Sequence, residues 1–371
     1  MIRRHLAAYE VMGGSVVLLL MLGMWVASGA AKPGGDAATD AALDQKVASY
    51  LRARFGWPDS VKATVSPFQA TEFPGFLSST VVTIEEGKEP LNNVVYLTSD
   101  HRYLILGHLF ALQGDLKNNI VQHIREQFKV PATVVFEVGD FHPSEFPNFQ
   151  TVPVSIENGK QKRDFYATKD NRILVLGDVL NLGIDLKGKA LRTIVTRNQP
   201  SEGPAGAPVT IVEYADLQCP MCGKLHEFME KDLLPKYGDK VRVIFKEFPL
   251  TAIHDWSPMA AVANECVFQI KPEAFAAYRS LVFQNQAFTN AANVRDSLLA
   301  YADQVGVDRI KLGGCLDSKA SQPLVDAGAD EGKRLGVSST PTCFINGRML
   351  LGFPSPQAYY DAVDAALRGG K

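Results

Sequence analysis

Cys219 and Cys222, three residues apart, form the most chemically specific pattern in the chain. They close the stretch Ala215-Asp216-Leu217-Gln218-Cys219-Pro220-Met221-Cys222, which follows an apolar run with strand character, Val209 to Tyr214. A helical pattern comes next, with Leu225, Phe228 and Leu233. Cys219 therefore falls at the first turn of a helix, where unpaired backbone N–H groups and the helix dipole favour an anionic sulfur. The thiolate is the nucleophile of thiol–disulfide exchange, so a lowered pKa here has direct chemical meaning. Cys222 is in reach to close a disulfide with Cys219 or to resolve a mixed one. Half of a zinc site is the other reading of this spacing. A structural zinc site wants a second close pair of Cys or His. Cys266, Cys315 and Cys343 are scattered singly, and no His pair has finger spacing. A strand-to-helix junction within a βαβ pattern favours redox chemistry.

Two further segments follow in order: Phe245-Lys246-Glu247-Phe248-Pro249-Leu250, and Ser339-Thr340-Pro341-Thr342-Cys343-Phe344-Ile345-Asn346-Gly347. With Val212 to Cys222 they resemble the DsbA-type branch of the thioredoxin superfamily, from Pro208 to the C-terminus. The resemblance implies an α/β thioredoxin fold with a helical insertion, here Pro249 to Leu335. It also implies a protein thiol–disulfide oxidoreductase in which Cys219 attacks, Cys222 resolves, and Pro220 and Met221 complete the redox motif. Glu213 matches a buried acid that assists proton transfer at the resolving cysteine, a role that burial would suit by raising its pKa. Strand alternation alone also allows Glu213 a solvent face. In relatives a lysine at the position of Lys246 pairs with that acid; an exposed lysine is the reading favoured by the residues alone.

Thr340-Pro341 matches the cis-proline loop that faces the cysteine pair, whose backbone pairs with an extended substrate. An ordinary strand-entry proline is the alternative. A threonine before this proline resembles the isomerase branch. Met221 stands where strongly oxidising members carry histidine, which implies a milder oxidant. Some relatives have a second, non-catalytic disulfide in the insertion, so the resemblance implies a Cys266–Cys315 bond; two separate buried thiols are the alternative. Cys343 departs from the family, which usually has an aromatic there, and is expected as a packed thiol in a strand. His226 is expected on a helix face without a catalytic role. Ser355-Pro356 caps and opens the last helix.

Ahead of this region lies enough chain for one or two more domains. The formal net charge of −2 among 371 residues gives no sign of nucleic-acid binding. Arg3 and Arg4 precede an uncharged segment, Val11 to Ala31, long enough to cross a bilayer as one helix. Residues 1–31 are expected to be a signal anchor, with a cleaved signal peptide as the alternative because Ala27-Ser28-Gly29-Ala30-Ala31 offers small residues. Either way the basic flank places the remainder outside the cytoplasm, in the periplasm and tethered to the inner membrane if uncleaved. Residues 32–42 are a polar linker.

The next stretch is a tandem duplication, 43–112 and 113–184. Leu43, Val47, Leu51 and Phe55 recur as Leu116, Ile120, Ile124 and Phe128, each a four-residue spacing that makes one apolar helix face. Glu72-Phe73-Pro74-Gly75-Phe76 returns as Glu145-Phe146-Pro147-Asn148-Phe149, and Tyr96 to Gly107 is echoed by Tyr166 to Gly177 as strand, polar turn, strand. Each repeat is a small α+β (cystatin-like) unit that resembles the N-terminal dimerisation module of the DsbC/DsbG isomerases. In those proteins two modules from two chains form a cleft for unfolded protein. Here the two are expected to pair within one chain, giving a monomer with a single thioredoxin arm; plain spacers are the alternative. Residues 185–207, a short helix and a Pro/Gly-rich stretch, are expected to be a linker that lets the catalytic region, 208–371, swing.

Together these features indicate an extracytoplasmic thiol–disulfide oxidoreductase acting on unfolded or cysteine-containing proteins. It needs no cofactor or metal, and a membrane redox partner is expected to recycle the pair. A chaperone, or a carrier of a metal thiolate such as copper, is the alternative. Oxidation, reduction and isomerisation use the same residues, and direction follows from redox potential.

Overall fold

The computed structural model describes residues 41–369 apart from 86, 88 and 157–160. The apolar segment Val11 to Ala31 lies outside these residues; among the described residues no helix is long and apolar enough to cross a membrane. The described residues form two compact units: Ala63–Ile84 and Glu89–Gly183, with residues 41–48, in one; Ser49–Lys62 and residues 184–369 in the other. Helix α1 (Ala41–Phe55) is divided between them.

The first unit is built on strands β1 (Lys62–Val65), β2 (Gln69–Ala70), β3 (Phe76–Ile84), β4 (Leu91–Thr98) and β5 (Tyr103–Ala111). After helix α2 (Leu116–Phe128) come β6 (Phe136–Val138), β7 (His142–Pro143), β8 (Phe149–Ile156), β9 (Gln161–Thr168) and β10 (Ile173–Asn181). They make one sheet in the order β1-β3-β4-β5-β10-β9-β8-β6, with β2 beside β3 and β7 beside β8. The two repeats thus join edge to edge through the antiparallel pair β5–β10. Its register sets Gly107 opposite Gly177, which are equivalent residues of the two repeats, so a local two-fold passes between them. A Cβ on either glycine would collide with backbone of the opposite strand, Leu176 O or Leu106 O, so only glycine allows this approach.

Local chemistry repeats as well. Thr98 Oγ1 donates to Asp100 Oδ1, which accepts from Arg102 N; Thr168, Asp170 and Arg172 do the same. On one sheet face Phe76, Tyr103, Phe146 and Phe149 form an aromatic core shared by both repeats. On the other, Ile120 and Ile124 of α2 pack over Val152, Phe165 and Leu174.

The second unit contains α3 (Leu186–Thr193), β11 (Ser201–Glu202), β12 (Val209–Ala215), α4 (Pro220–Phe228), α5 (Leu234–Tyr237) and β13 (Val241–Glu247). The helices α6 (Ser257–Ile270), α7 (Phe275–Gln284), α8 (Val294–Gln304), α9 (Arg309–Ser318) and α10 (Gln322–Leu335) form the insertion. Strands β14 (Thr342–Ile345) and β15 (Arg348–Leu351) and helix α11 (Pro356–Gly369) finish the chain. The sheet order is β11-β13-β12-β14-β15, with β12 and β13 parallel and the other pairs antiparallel. Helices cover both faces, so β12 and β13 are buried almost throughout, the pattern expected of parallel strands.

Residues 185–207 begin with the expected short helix, α3, and parts of the segment pack within the second unit. Ala190 of α3 is fully buried in the core of this unit. Val195 N donates to Glu331 Oε2 at 2.8 Å, and Ser201–Glu202 adds an edge strand to β13.

Candidate functional site

The site grows from the end of β12. Cys219 is the residue that caps α4, with Pro220 at the first helical position, where its missing N–H costs nothing. Cys219 has extended backbone angles and offers no side-chain cap, so its sulfur is left facing the N-terminal amides. Both Cys219 and Cys222 are buried free thiols, while Pro220 and Met221 between them are exposed. The turn is clamped from three sides. Asp216, fully buried, accepts from Gln218 N at 2.7 Å, Leu250 N at 2.7 Å and His254 Nδ1 at 2.8 Å. Gln218 Oε1 accepts from Trp256 N and Ser257 N. Gln286 Nε2 donates to Leu217 O at 2.7 Å and Cys219 O at 3.1 Å.

The Thr340-Pro341 peptide bond is cis, and Thr340 O lies 3.5 Å from Cys219 Sγ, a hydrogen bond open only to the protonated thiol. A hydrogen bond from the Cys222 thiol is the largest influence on Cys219. With the backbone N–H groups of Cys222 and Met221, it outweighs burial and holds the Cys219 thiol down to about 5. Cys222 is pushed the other way, by burial first and then by the negative charges of Cys219 and Glu213. At neutral pH the pair is one thiolate and one thiol, which is the division of labour that nucleophilic attack and later resolution require.

Glu213 lies beneath the pair on β12, fully buried, and burial raises its pKa. Its cation is Arg279 of α7, at 2.9 Å from Glu213 Oε2. The pairing with Lys246 seen by resemblance is absent. In the β12–β13 register Lys246 stands beside Tyr214, on the sheet face opposite Glu213, and forms an ion pair with Glu331 at 3.2 Å. Nor is Lys246 the exposed residue favoured by the residues alone: it is 4% exposed. Arg279 also reaches Glu247 Oε1, at 3.3 Å. Sequence reading missed Arg279, Glu247 and Gln286. Glu247 shares the Glu213 face because β12 and β13 pair Tyr214 with Lys246, a register that the sequence does not carry.

Cys266 and Cys315 are joined by a disulfide between α6 and α9. Cys343 sits opposite Glu213 in the β12–β14 register, fully buried, and accepts from the Tyr359 hydroxyl at 3.4 Å. His226 is buried against Ser280, at 2.8 Å, and burial pushes its imidazole down to about 3, so it supplies no positive charge to the thiolate. Among the described residues no cluster of His, Cys, Asp and Glu is arranged to hold a metal ion.

A family model described as Thioredoxin (Thioredoxin_4) matches residues 196–365. Over 180 residues the chain is 27% identical to disulfide bond formation protein D of Bacillus subtilis, which covers 47% of this chain and 79% of that protein. It is 32% identical over 169 residues to the Na(+)/H(+) antiporter NhaA 3 of Salinispora tropica, covering 46% of this chain. The chain spans about a quarter of the length of that antiporter and of a second one, so their named activity stays with them. Among solved structures, oxidised BdbD from Bacillus subtilis is similar over 47% of this chain and 95% of that chain, at 24% identity and a TM-score of 0.42.

Proposed function

We propose that the C-terminal unit, a DsbA-like domain of the thioredoxin superfamily, exchanges disulfides with protein cysteines through Cys219 and Cys222. The observation that carries this reading is the opposed environment of the two sulfurs: Cys219 held as a thiolate at a helix N-terminus beside the cis-proline loop, Cys222 kept protonated. In the reductive direction the Cys219 thiolate attacks a substrate disulfide and expels one substrate thiolate. Cys222, after losing its proton, attacks Cys219 Sγ and releases the second. In the oxidative direction a substrate thiolate attacks Cys219 Sγ of the Cys219–Cys222 disulfide and displaces Cys222, and a second substrate thiol frees Cys219.

A stabilised thiolate favours the reduced form and so raises the potential. With Cys219 near 5, between DsbA at about 3.5 and thioredoxin at about 7, the potential is expected between about −120 and about −270 mV. Equilibration with glutathione buffers tests this. Failure of Cys219 and Cys222 to form a disulfide would remove the redox reading altogether.

The edge-to-edge pairing of the repeats supports their reading as DsbC-like modules that form a pseudo-dimer in one chain, holding unfolded clients near a single catalytic arm. On this reading the protein works outside the cytoplasm, tethered through residues 1–31, and a membrane redox partner recycles it. Light scattering on the soluble part should give a monomer; a stable dimer would count against internal pairing.

A further inference from the structure

Beneath the cysteine pair, one buried cation is shared by two buried carboxylates. Arg279, fully buried, sends Nη2 to Glu213 Oε2 at 2.9 Å and Nη1 to Glu247 Oε1 at 3.3 Å. The second oxygen of each acid, Glu213 Oε1 and Glu247 Oε2, is buried with no hydrogen-bond partner. Two anions and one cation out of water leave one uncompensated charge, which is strongly disfavoured. The unit is therefore neutral only with one proton on the two acids together, and its titration belongs to the pair.

We propose that Glu247 and Arg279 are positioning residues for the resolving step: Glu247 keeps Arg279 paired when Glu213 is neutralised by the Cys222 proton. The inference rests on the redox reading of Cys219 and Cys222. Before resolution Glu213 is the anion and Glu247 holds the shared proton. The Cys222 S–H bond breaks, its proton goes to Glu213, and the Cys222 electron pair attacks Cys219 Sγ, breaking the mixed disulfide and expelling the substrate sulfur as a thiolate. Arg279 would then be stranded between two neutral acids. Glu247 instead releases its proton to solvent and takes over the guanidinium, so one proton leaves the protein for the one taken from Cys222.

The surroundings support this assignment of the proton. Burial pushes Glu247 up to about 8, against the lowering influence of Arg279 and of Asn264, whose Nδ2 donates to Glu247 Oε1 at 2.7 Å. Besides Cys219 and Cys222, the titratable groups among the described residues whose charges reach the three are Glu202 of β11, Glu265 of α6, His226 of α4, Cys343 of β14 and Tyr359 of α11. Glu265, pushed up to about 7 by burial, is only partly ionised at neutral pH, and His226 is neutral and adds no second cation.

Glu247→Gln tests the proposal, because glutamine keeps an oxygen for Asn264 yet can never become the anion. Mixed disulfide formed between Cys219 and a small aromatic thiol is mixed rapidly with buffer, and release of that thiol by Cys222 is followed from pH 5 to 9. With Arg279 committed to Glu213, release should slow about tenfold at pH 7, and the Glu213-dependent midpoint should fall by about one unit. Titration of Cys219 itself should stay in place, and Glu247→Asp should restore much of the rate. An unchanged pH profile in a folded Glu247→Gln protein would overturn the role of Glu247. If no mixed disulfide or Cys219–Cys222 disulfide forms in the unaltered protein, the redox reading has failed instead.

Discussion

Neighbouring residues on the same two strands bury charge on opposite faces of the catalytic sheet, and the two clusters are finished differently. Toward Cys222, Glu213 and Glu247 share Arg279 and each keeps one oxygen without a partner. On the other face Glu331 is saturated: Oε1 accepts from Tyr214 Oη at 2.7 Å and pairs with Lys246 at 3.2 Å, and Oε2 accepts from Val195 N. A satisfied network rigidifies, and here it pins α3 and α10 to the sheet. An under-satisfied one can change its proton count, and it lies where a thiol must lose a proton. The difference separates scaffold from chemistry in two clusters of similar composition.

Removing Arg279 should break the comparison most severely. Arg279→Met leaves two buried acids without a cation, with an expected loss of about 3–5 kcal/mol. Urea unfolding should show the loss growing from pH 5 to pH 8, as the acids are driven to ionise in place. Lys246→Met strips the opposite face of its cation, but Glu331 keeps two donors. About 3 kcal/mol should be lost, the lower end for breaking a buried pair, with no change in the pH profile of thiol release.

A third expectation concerns Glu247 in the unaltered protein. Its pKa in the folded state, about 8, lies above the ordinary carboxylate value, so the folded state binds the extra proton. The stability it contributes is complete below about 4.3 and is lost as pH rises through about 8. Glu247→Gln should flatten that decline in unfolding measurements between pH 5 and pH 8. Smallest is Tyr214→Phe, which removes one hydrogen bond to a charged acceptor. It should cost about 1.5–3 kcal/mol at most and leave exchange rates unaltered; a slowed resolving step would blur the division between the faces.

What could be read from the chain was local. The C-x-x-C at a strand-to-helix junction, the Thr340-Pro341 loop and the repeated Thr-x-Asp turns all depend on residues within a few positions of one another. Arg279 could not be found this way: it meets Glu213 across 66 residues, from a helix whose apolar pattern conceals a single buried cation. The side that Lys246 occupies is revealed only by the register Tyr214↔Lys246. The packing of the segment before β12 is likewise set by distant residues. Composition reports the freedom of the unfolded chain, whereas Ala190, Val195 and the edge strand Ser201–Glu202 are held by residues far along the sequence.

The most direct test of the account is the titration of Cys219 in the reduced protein, followed by thiolate absorbance or by the pH dependence of alkylation, with Cys222 replaced in a parallel sample. A midpoint near 5 in the unaltered protein, rising when the Cys222 thiol is removed, is the predicted result. A midpoint near the ordinary thiol value of about 8.5 would contradict it, since Cys219 would then be no better a nucleophile than any free cysteine.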